Sequence, residues 1–382
     1  MRFGKTNLEI PIVTLGCMRF QRSSGDKMKS LPDDEQSSLN VHQSLKAMIK
    51  HAITVLGMNH IETAKNNGCS DGLQIGQVLK ELYDENITKR EDLIIQIKIN
   101  PTKPKDFRRT LDASFTDLQV DYVDLFTFNG LNVGNHFDLV FNKYGDEESL
   151  IDIIREYQRD GKIKFIGFST HGQPELIRKF IETDQFDYCN LHYHYFGSYT
   201  ASGGGQYGGN LENVRLMKEK DMGVSVSCAY DKGGYFFTPS KKLRSLTLPE
   251  LEPIQFGSLW LWAHEELDEE KAPIHTFTVG AARPSDLDEP AVAAYLFKTR
   301  KETMLSKVKA VVKKLDDAQV EALGEDWVKT WYEGVPNCLT ENDKFNFGQI
   351  VSLYNLIKSF GMLGYAKDRY GKFVSFFLSS TI

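Results

Sequence analysis

Two charged side chains stand near the ends of β-rich apolar runs: Glu62 in His60–Ala64, and Lys98 closing Leu93–Lys98. A carboxylate and an ammonium so placed would form a buried pair, each charge lowering the cost of burying the other. Such a pair can orient a proton donor and lower its pKa for work on a carbonyl. It can equally be an ion pair of a rim, with no chemistry at all. Other reactive groups lie nearby in sequence. Asn67 and Cys69 follow Glu62 on the same loop, and Asn129 follows a third run, Tyr122–Phe128. His171, His192 and His194 gather with Tyr193, Tyr195 and Tyr199 after two later runs. A His-x-His pair without an acidic or third histidine partner in sequence reads as packing, so no metal site is expected.

These residues need strands to aim them. The runs Val13–Cys17, His60–Ala64, Leu93–Lys98, Tyr122–Phe128, Phe165–Ser169, Tyr188–Leu191, Val224–Cys228 and Thr276–Gly280 read as strands. Helical-period segments lie between them: Val41–Val55, Leu73–Tyr83, Lys105–Leu118, Glu147–Arg159, Pro174–Thr183 and Leu211–Lys220. Eight strands alternating with helices predict an α/β fold, a parallel (β/α)8 TIM barrel with strand ends forming the functional mouth. No GxGxxG turn follows the first strand, which argues against an open doubly wound sheet. Arg2–Pro11 alternates polar and apolar around Thr6-Asn7 and predicts a small N-terminal hairpin. Two insertions stand out, the polar stretch Gln21–Asn40 and the glycine-rich Gly197–Gly209. The second follows strand six and is either a loop at the mouth or an idle excursion. Beyond about residue 300 the alternation stops. Lys301–Leu323 and Phe347–Tyr365 read as helices, giving a barrel over 1–300 and a helical C-terminal extension over 301–382.

Composition narrows the class. In 382 residues, 46 basic and 52 acidic side chains leave a formal charge of -6, which supplies no global attraction to nucleic acid or to an anionic membrane. No apolar run approaches the roughly 18 residues a membrane span needs. Five scattered cysteines without a CxxC pair suit a reducing compartment, and a cytoplasmic protein is expected.

The blocks in their order resemble the aldo-keto reductase family. Glu62-Thr63-Ala64-Lys65-Asn66-Asn67-Gly68 is similar to the family's Asp-Thr-Ala, two variable residues, Tyr, Gly. Gly161–Ser169 resembles its strand-five signature, and Thr278–Pro284 its strand-eight cofactor turn. The resemblance covers roughly residues 1–300 and implies a catalytic tetrad at Glu62, Asn67, Lys98 and Asn129. Two positions depart from the pattern, because Asn67 stands for the proton-donor tyrosine and Asn129 for the histidine. An amide gives up no proton at useful pH, and general acid catalysis is typically worth about 100- to 10,000-fold. The resemblance therefore implies a barrel impaired in ordinary carbonyl reduction, acting as a cofactor-binding or assembly subunit. The alternative is an active NADPH-dependent reductase whose donor is Cys69, a histidine or a water.

The cofactor positions are better kept. By resemblance, Ser169 and Asn190 hold the nicotinamide carboxamide, Thr170 stands at a cofactor-site position where an asparagine is common, and the loop with Tyr230 and Lys232 runs along the pyrophosphate. Arg283, Ser285, Asp286 and Glu289 fit the turn around the adenosine end. Arg283 can meet a 2′-phosphate through paired hydrogen bonds, favouring NADP over NAD. The tail segments Tyr332–Cys338, Asn346–Ile350 and Tyr365–Gly371 resemble a subgroup carrying a ferredoxin-like iron–sulfur extension. A four-iron cluster needs four thiolates, and Cys338 is the one cysteine there, so no iron-sulfur cluster is expected.

Overall fold

Alternate residues along each strand differ in kind, and that alternation builds the fold. In the computed structural model, which describes residues 1–17, 41–65, 72–197, 209–231, 236–281, 283–335 and 347–379, eight strands close into one barrel. They are β1 (Val13–Gly16), β2 (His60–Lys65), β3 (Ile94–Ile99), β4 (Val123–Phe128), β5 (Ile163–Thr170), β6 (Tyr188–His192), β7 (Gly223–Ser227) and β8 (Thr276–Gly280). Every neighbouring pair is parallel, and β8 returns to β1 with Val13 opposite Phe277. One parity of side chains (Leu15, Ile61, Ile97, Phe126, Ile166, Leu191, Val226, Phe277) joins the main apolar core with the surrounding helices. The other parity faces the barrel axis and is largely polar.

That axis is layered. At the floor Phe3 and Ile10 join Ile94, Leu125 and Tyr188 in a separate apolar cluster. The N-terminal segment thus plugs the barrel. The expected hairpin shrinks to one antiparallel bridge, Arg2 to Glu9, around a 3-10 turn at Gly4–Thr6. Gly4 has φ +53 and its Cβ would lie 2.5 Å from the Asp221 carbonyl oxygen, so the plug needs glycine there. Above the floor a polar belt crosses six strands. Thr14 Oγ1 lies 2.9 Å from Thr276 Oγ1 and 2.8 Å from His60 Nδ1. His60 Nε2 reaches Gln96 Oε1 at 2.9 Å, Gln96 donates to Thr127 at 2.8 Å, and Thr127 meets Tyr188 at 2.7 Å. Burial holds the His60 imidazole down to about 3, so it is neutral in the belt.

The helices follow their apolar stripes, with Ser149 capping Leu150–Arg159 by accepting from the Asp152 amide. Pro253–Trp262 escapes a periodicity reading because it is apolar nearly all round, with Phe256, Leu259, Trp260, Leu261 and Trp262 all buried. Lys301–Leu323 packs on that helix, on Lys241–Thr247 and on Phe347–Phe360. The single helix expected over Phe347–Tyr365 is two, Phe347–Phe360 and Leu363–Ser379, broken where Gly361 takes φ +67. The insertions at 21–40 and nearly all of 197–209 lie outside the described residues. Among the described residues no helix is long and apolar enough to cross a membrane.

Candidate active site

The third layer is the mouth, and one carboxylate organises it. Glu62 projects inward from β2, two residues above His60, and its Oε2 takes Lys98 Nζ at 2.7 Å with both side chains 4% exposed. The same oxygen accepts from Asn190 Nδ2 at 3.1 Å and from Thr278 Oγ1 at 3.2 Å. Strands β2, β3, β6 and β8 therefore meet on a single atom. Glutamate is one methylene longer than aspartate, which gives it the reach to do this across the barrel. Leaving either charge without the other is the costly alternative, because an uncompensated buried ion costs several kcal/mol.

Across the mouth the groups are neutral. Asn129 Nδ2 donates to Asn100 Oδ1 at 2.7 Å, and Ser169 Oγ donates to Asn129 Oδ1 at 3.1 Å. The Ser169 hydroxyl also accepts from the Gly130 amide at 3.0 Å, while Thr170 Oγ1 donates to the Leu131 carbonyl at 2.8 Å. Ser169 and Thr170 thus tie the ends of β4 and β5 together. Asn67, Cys69 and Lys232 lie outside the described residues.

Asn190 is fully buried, and its Nδ2 is shared between Glu62 and Ser225 Oγ at 3.2 Å. Its Oδ1 has no hydrogen-bond partner among the described residues. A buried amide oxygen left in that state carries a desolvation cost that a bound N–H would relieve. Tyr230 turns into the core instead of the mouth: it is 4% exposed, its hydroxyl meets Ser258, and its ring packs edge-on against Phe277. Arg283 pairs with Asp286 at 3.0 Å in an exposed turn, with Ser285 and Glu289 exposed beside it.

The histidines come together where sequence separated them from any acid. His192 continues the inward face of β6 two residues beyond Asn190, and its ring lies 4.8 Å from that of His194. Asp231, from the loop after β7, sets Oδ1 3.5 Å from His192 Nε2. No acid stands beside this His-x-His pair in sequence, and the parallel packing of β6 on β7 brings Asp231 to it in space. His171 joins their edge, ring to ring with His192 at 5.6 Å. Burial lowers the His194 imidazole to about 3. Thr278, Ser225, Asn100 and Arg369 are site neighbours to which sequence alone gives no individual role. The inward parity of Thr278 and Ser225 was the available signal, whereas Asn100 and Arg369 had none.

The sequence profile described as "Aldo/keto reductase family" matches residues 15–198. Over that stretch the chain is similar to the aldo/keto reductase family. Aldo-keto reductase family 4 member C11 of Arabidopsis thaliana is 35% identical over 112 residues, 28% of this chain and 33% of that protein. The aldose reductase of Encephalitozoon cuniculi is 40% identical over 82 residues, 22% of this chain and 26% of that protein. The matches thus span a third or less of these two relatives' own length. An aldo-keto reductase structure from Bacillus halodurans superposes with a TM-score of 0.57 at 16% identity, covering 81% of this chain and 95% of that one. At that identity the superposition speaks for the barrel alone. The family match includes both strands bearing Glu62 and Lys98, Asn129 just after β4, and Ser169 to Asn190.

Proposed function

We propose that this aldo/keto reductase barrel binds NADP(H) but is impaired in ordinary carbonyl reduction, and serves as a cofactor-binding or assembly subunit. The observation that carries the reading is the asymmetry of the mouth. Its Lys98–Glu62 pair is kept at 2.7 Å, while Asn129, at the family's histidine position, is a neutral amide held between Asn100 and Ser169. Asn67, at the tyrosine position, has no proton to give. Glu62 and Lys98 would then be positioning residues without a donor to position.

The cofactor half of the reading rests on fit. The Asn190 Oδ1 acceptor suits the N–H of a nicotinamide carboxamide, with Ser169 as its neighbour on β5. The bound cofactor would supply hydride, and this chain's residues would orient its ring. NADP over NAD rests on Arg283, which must share its guanidinium with Asp286; an exposed pair of that kind is worth about 0–1 kcal/mol and yields to a phosphate. The extension resembles that of the iron–sulfur subgroup, and we read it as a packing element without a cluster. Iron and acid-labile sulfide assays on anaerobically purified protein test this, and a stoichiometric cluster would reverse it.

One experiment separates the two functional readings. Fluorescence titration with NADPH and NADH measures binding, and turnover of a reactive aldehyde measures catalysis. We expect binding, with NADPH tighter, and near-background turnover that rises in Asn67→Tyr/Asn129→His. A phenol beside the Lys98 ammonium would have its pKa lowered, and an imidazole would polarise the carbonyl. Turnover by the unaltered protein at about 1 per second or faster, within the ordinary enzyme range, would establish the alternative reductase with a non-standard donor.

A further inference from the structure

The mouth holds a second constellation that carbonyl reduction does not use. His192 and His194 stand at and beyond the end of β6, and Asp231 leaves the turn after β7. One ligand atom from each lies within 4.8 Å of the others, and all three residues are buried, at 1%, 2% and 1% exposure. In a tetrahedral zinc site with bonds of about 2.0–2.1 Å, neighbouring ligand atoms sit roughly 3.4 Å apart. His192 Nε2 and Asp231 Oδ1 are 3.5 Å apart. A modest rotation of His194 would close the remaining distance.

We propose that His192, His194 and Asp231 form a binding site for a divalent transition metal of the zinc type, with the remaining coordination position taken by water or by an oxygen of a bound molecule. Two imidazoles and one carboxylate are a ligand set that zinc accepts, and three protein ligands leave a tetrahedral position open. The turn that delivers Asp231 is itself unusual. Cys228 and Asp231 both adopt positive φ, 58° and 50°, and the Asp231 amide donates to the Cys228 carbonyl at 2.7 Å. Asp231 presents one oxygen to His192. Its other oxygen lies 3.9 Å from Nε of Arg369, in the C-terminal helix Leu363–Ser379. That separation exceeds a hydrogen bond, so the guanidinium acts there as a nearby charge. It opposes a second cation at close range and so lowers the metal affinity, which places the site under the control of the extension. The site stands on its own geometry and does not depend on how the cofactor binds.

The test uses the full-length chain, stripped with a chelator and titrated with Zn²⁺ against a chromophoric competitor, and with Co²⁺ for tetrahedral d–d absorption. We expect one equivalent of metal, binding at least 100-fold weaker in His192→Ala and in His194→Ala, and several-fold tighter in Arg369→Gln. Asp231→Asn keeps the shape of the turn and should also lose at least tenfold. Far-UV circular dichroism and the melting temperature identify any variant that has lost its fold, and Asp231→Asn and Arg369→Gln then decide. Zinc binding weaker than about 1 mM would overturn the proposal. So would wild-type affinity in Asp231→Asn, or an equivalent of metal that survives both histidine changes.

Discussion

The two sides of the barrel mouth obey different rules. On one side Glu62 and Lys98 form a buried ion pair whose shared oxygen also binds Asn190 and Thr278. On the other, Asn100, Asn129 and Ser169 close a chain of neutral hydrogen bonds at a half-buried surface. The physical difference lies in the cost of changing one member. Removing either ion strands a charge in a low-dielectric site, whereas exchanging a histidine-type position for an amide leaves every partner satisfied. Under the proposed function, such a barrel can lose its neutral side while its charged side stays locked by stability alone. Retention of the Lys–Glu pair is accordingly weak evidence of catalysis.

The sharpest way to break this comparison is Lys98→Met. It should destabilise the chain by about 3–5 kcal/mol in urea unfolding, because Glu62 is left buried without its cation. Glu62→Gln/Lys98→Met should recover most of that loss. A single mutant within about 1 kcal/mol of wild type would mean that the charged side is no more constrained than the amide side.

The next effect concerns pH. His60 sits neutral in the belt beneath Glu62, with its imidazole held down to about 3 against an ordinary 6.5. The unfolded chain binds a proton there before the folded chain does. Stability is therefore full above about pH 6.5 and falls as pH drops toward 3, at about 1.4 kcal/mol per unit from this residue. Buried His194 and His275, lowered to about 3 and about 4, act in the same direction. Unfolding free energies from denaturant titrations at pH 7 and pH 5 should differ by about 2 kcal/mol less in a folded His60→Gln variant than in the natural chain. An unchanged difference would remove the belt from the account.

Arg283→Ala should weaken NADPH by about 1.5 kcal/mol, roughly tenfold, and leave NADH nearly unchanged, because the side chain gives up a phosphate contact but also its pairing with Asp286. Equal losses for both cofactors would detach Arg283 from the 2′-phosphate. Smallest of all is Asn129→Ala. It removes two neutral hydrogen bonds at a half-buried position and should cost about 1 kcal/mol, several-fold less than Lys98→Met. Comparable losses at Asn129 and Lys98 would erase the distinction between the two sides.

Much of this was legible beforehand, for a definite reason. Strand residues alternate faces with period two, so His60, Glu62, Gln96, Lys98, Thr127, Asn190 and Thr278 could be placed on one inward face from local pattern. Short parallel strands separated by amphipathic helices have few closed arrangements, and order along the chain then fixes which strands are neighbours. The Pro253–Trp262 helix was not legible because a helix buried all round shows no stripe. The kink at Gly361 was equally hidden, since an apolar period continues through it.

Residue type and local period were enough for the barrel and its inward charges, because both follow from the chain's own alternation. The tertiary structure alone decided who meets whom across the axis. Glu62 bonds to Asn190 rather than only to Lys98, Tyr230 turns inward to Ser258, and Asp231 comes to rest 3.5 Å from His192. Those meetings are set by barrel closure and strand stagger, long-range constraints that no window along the chain contains.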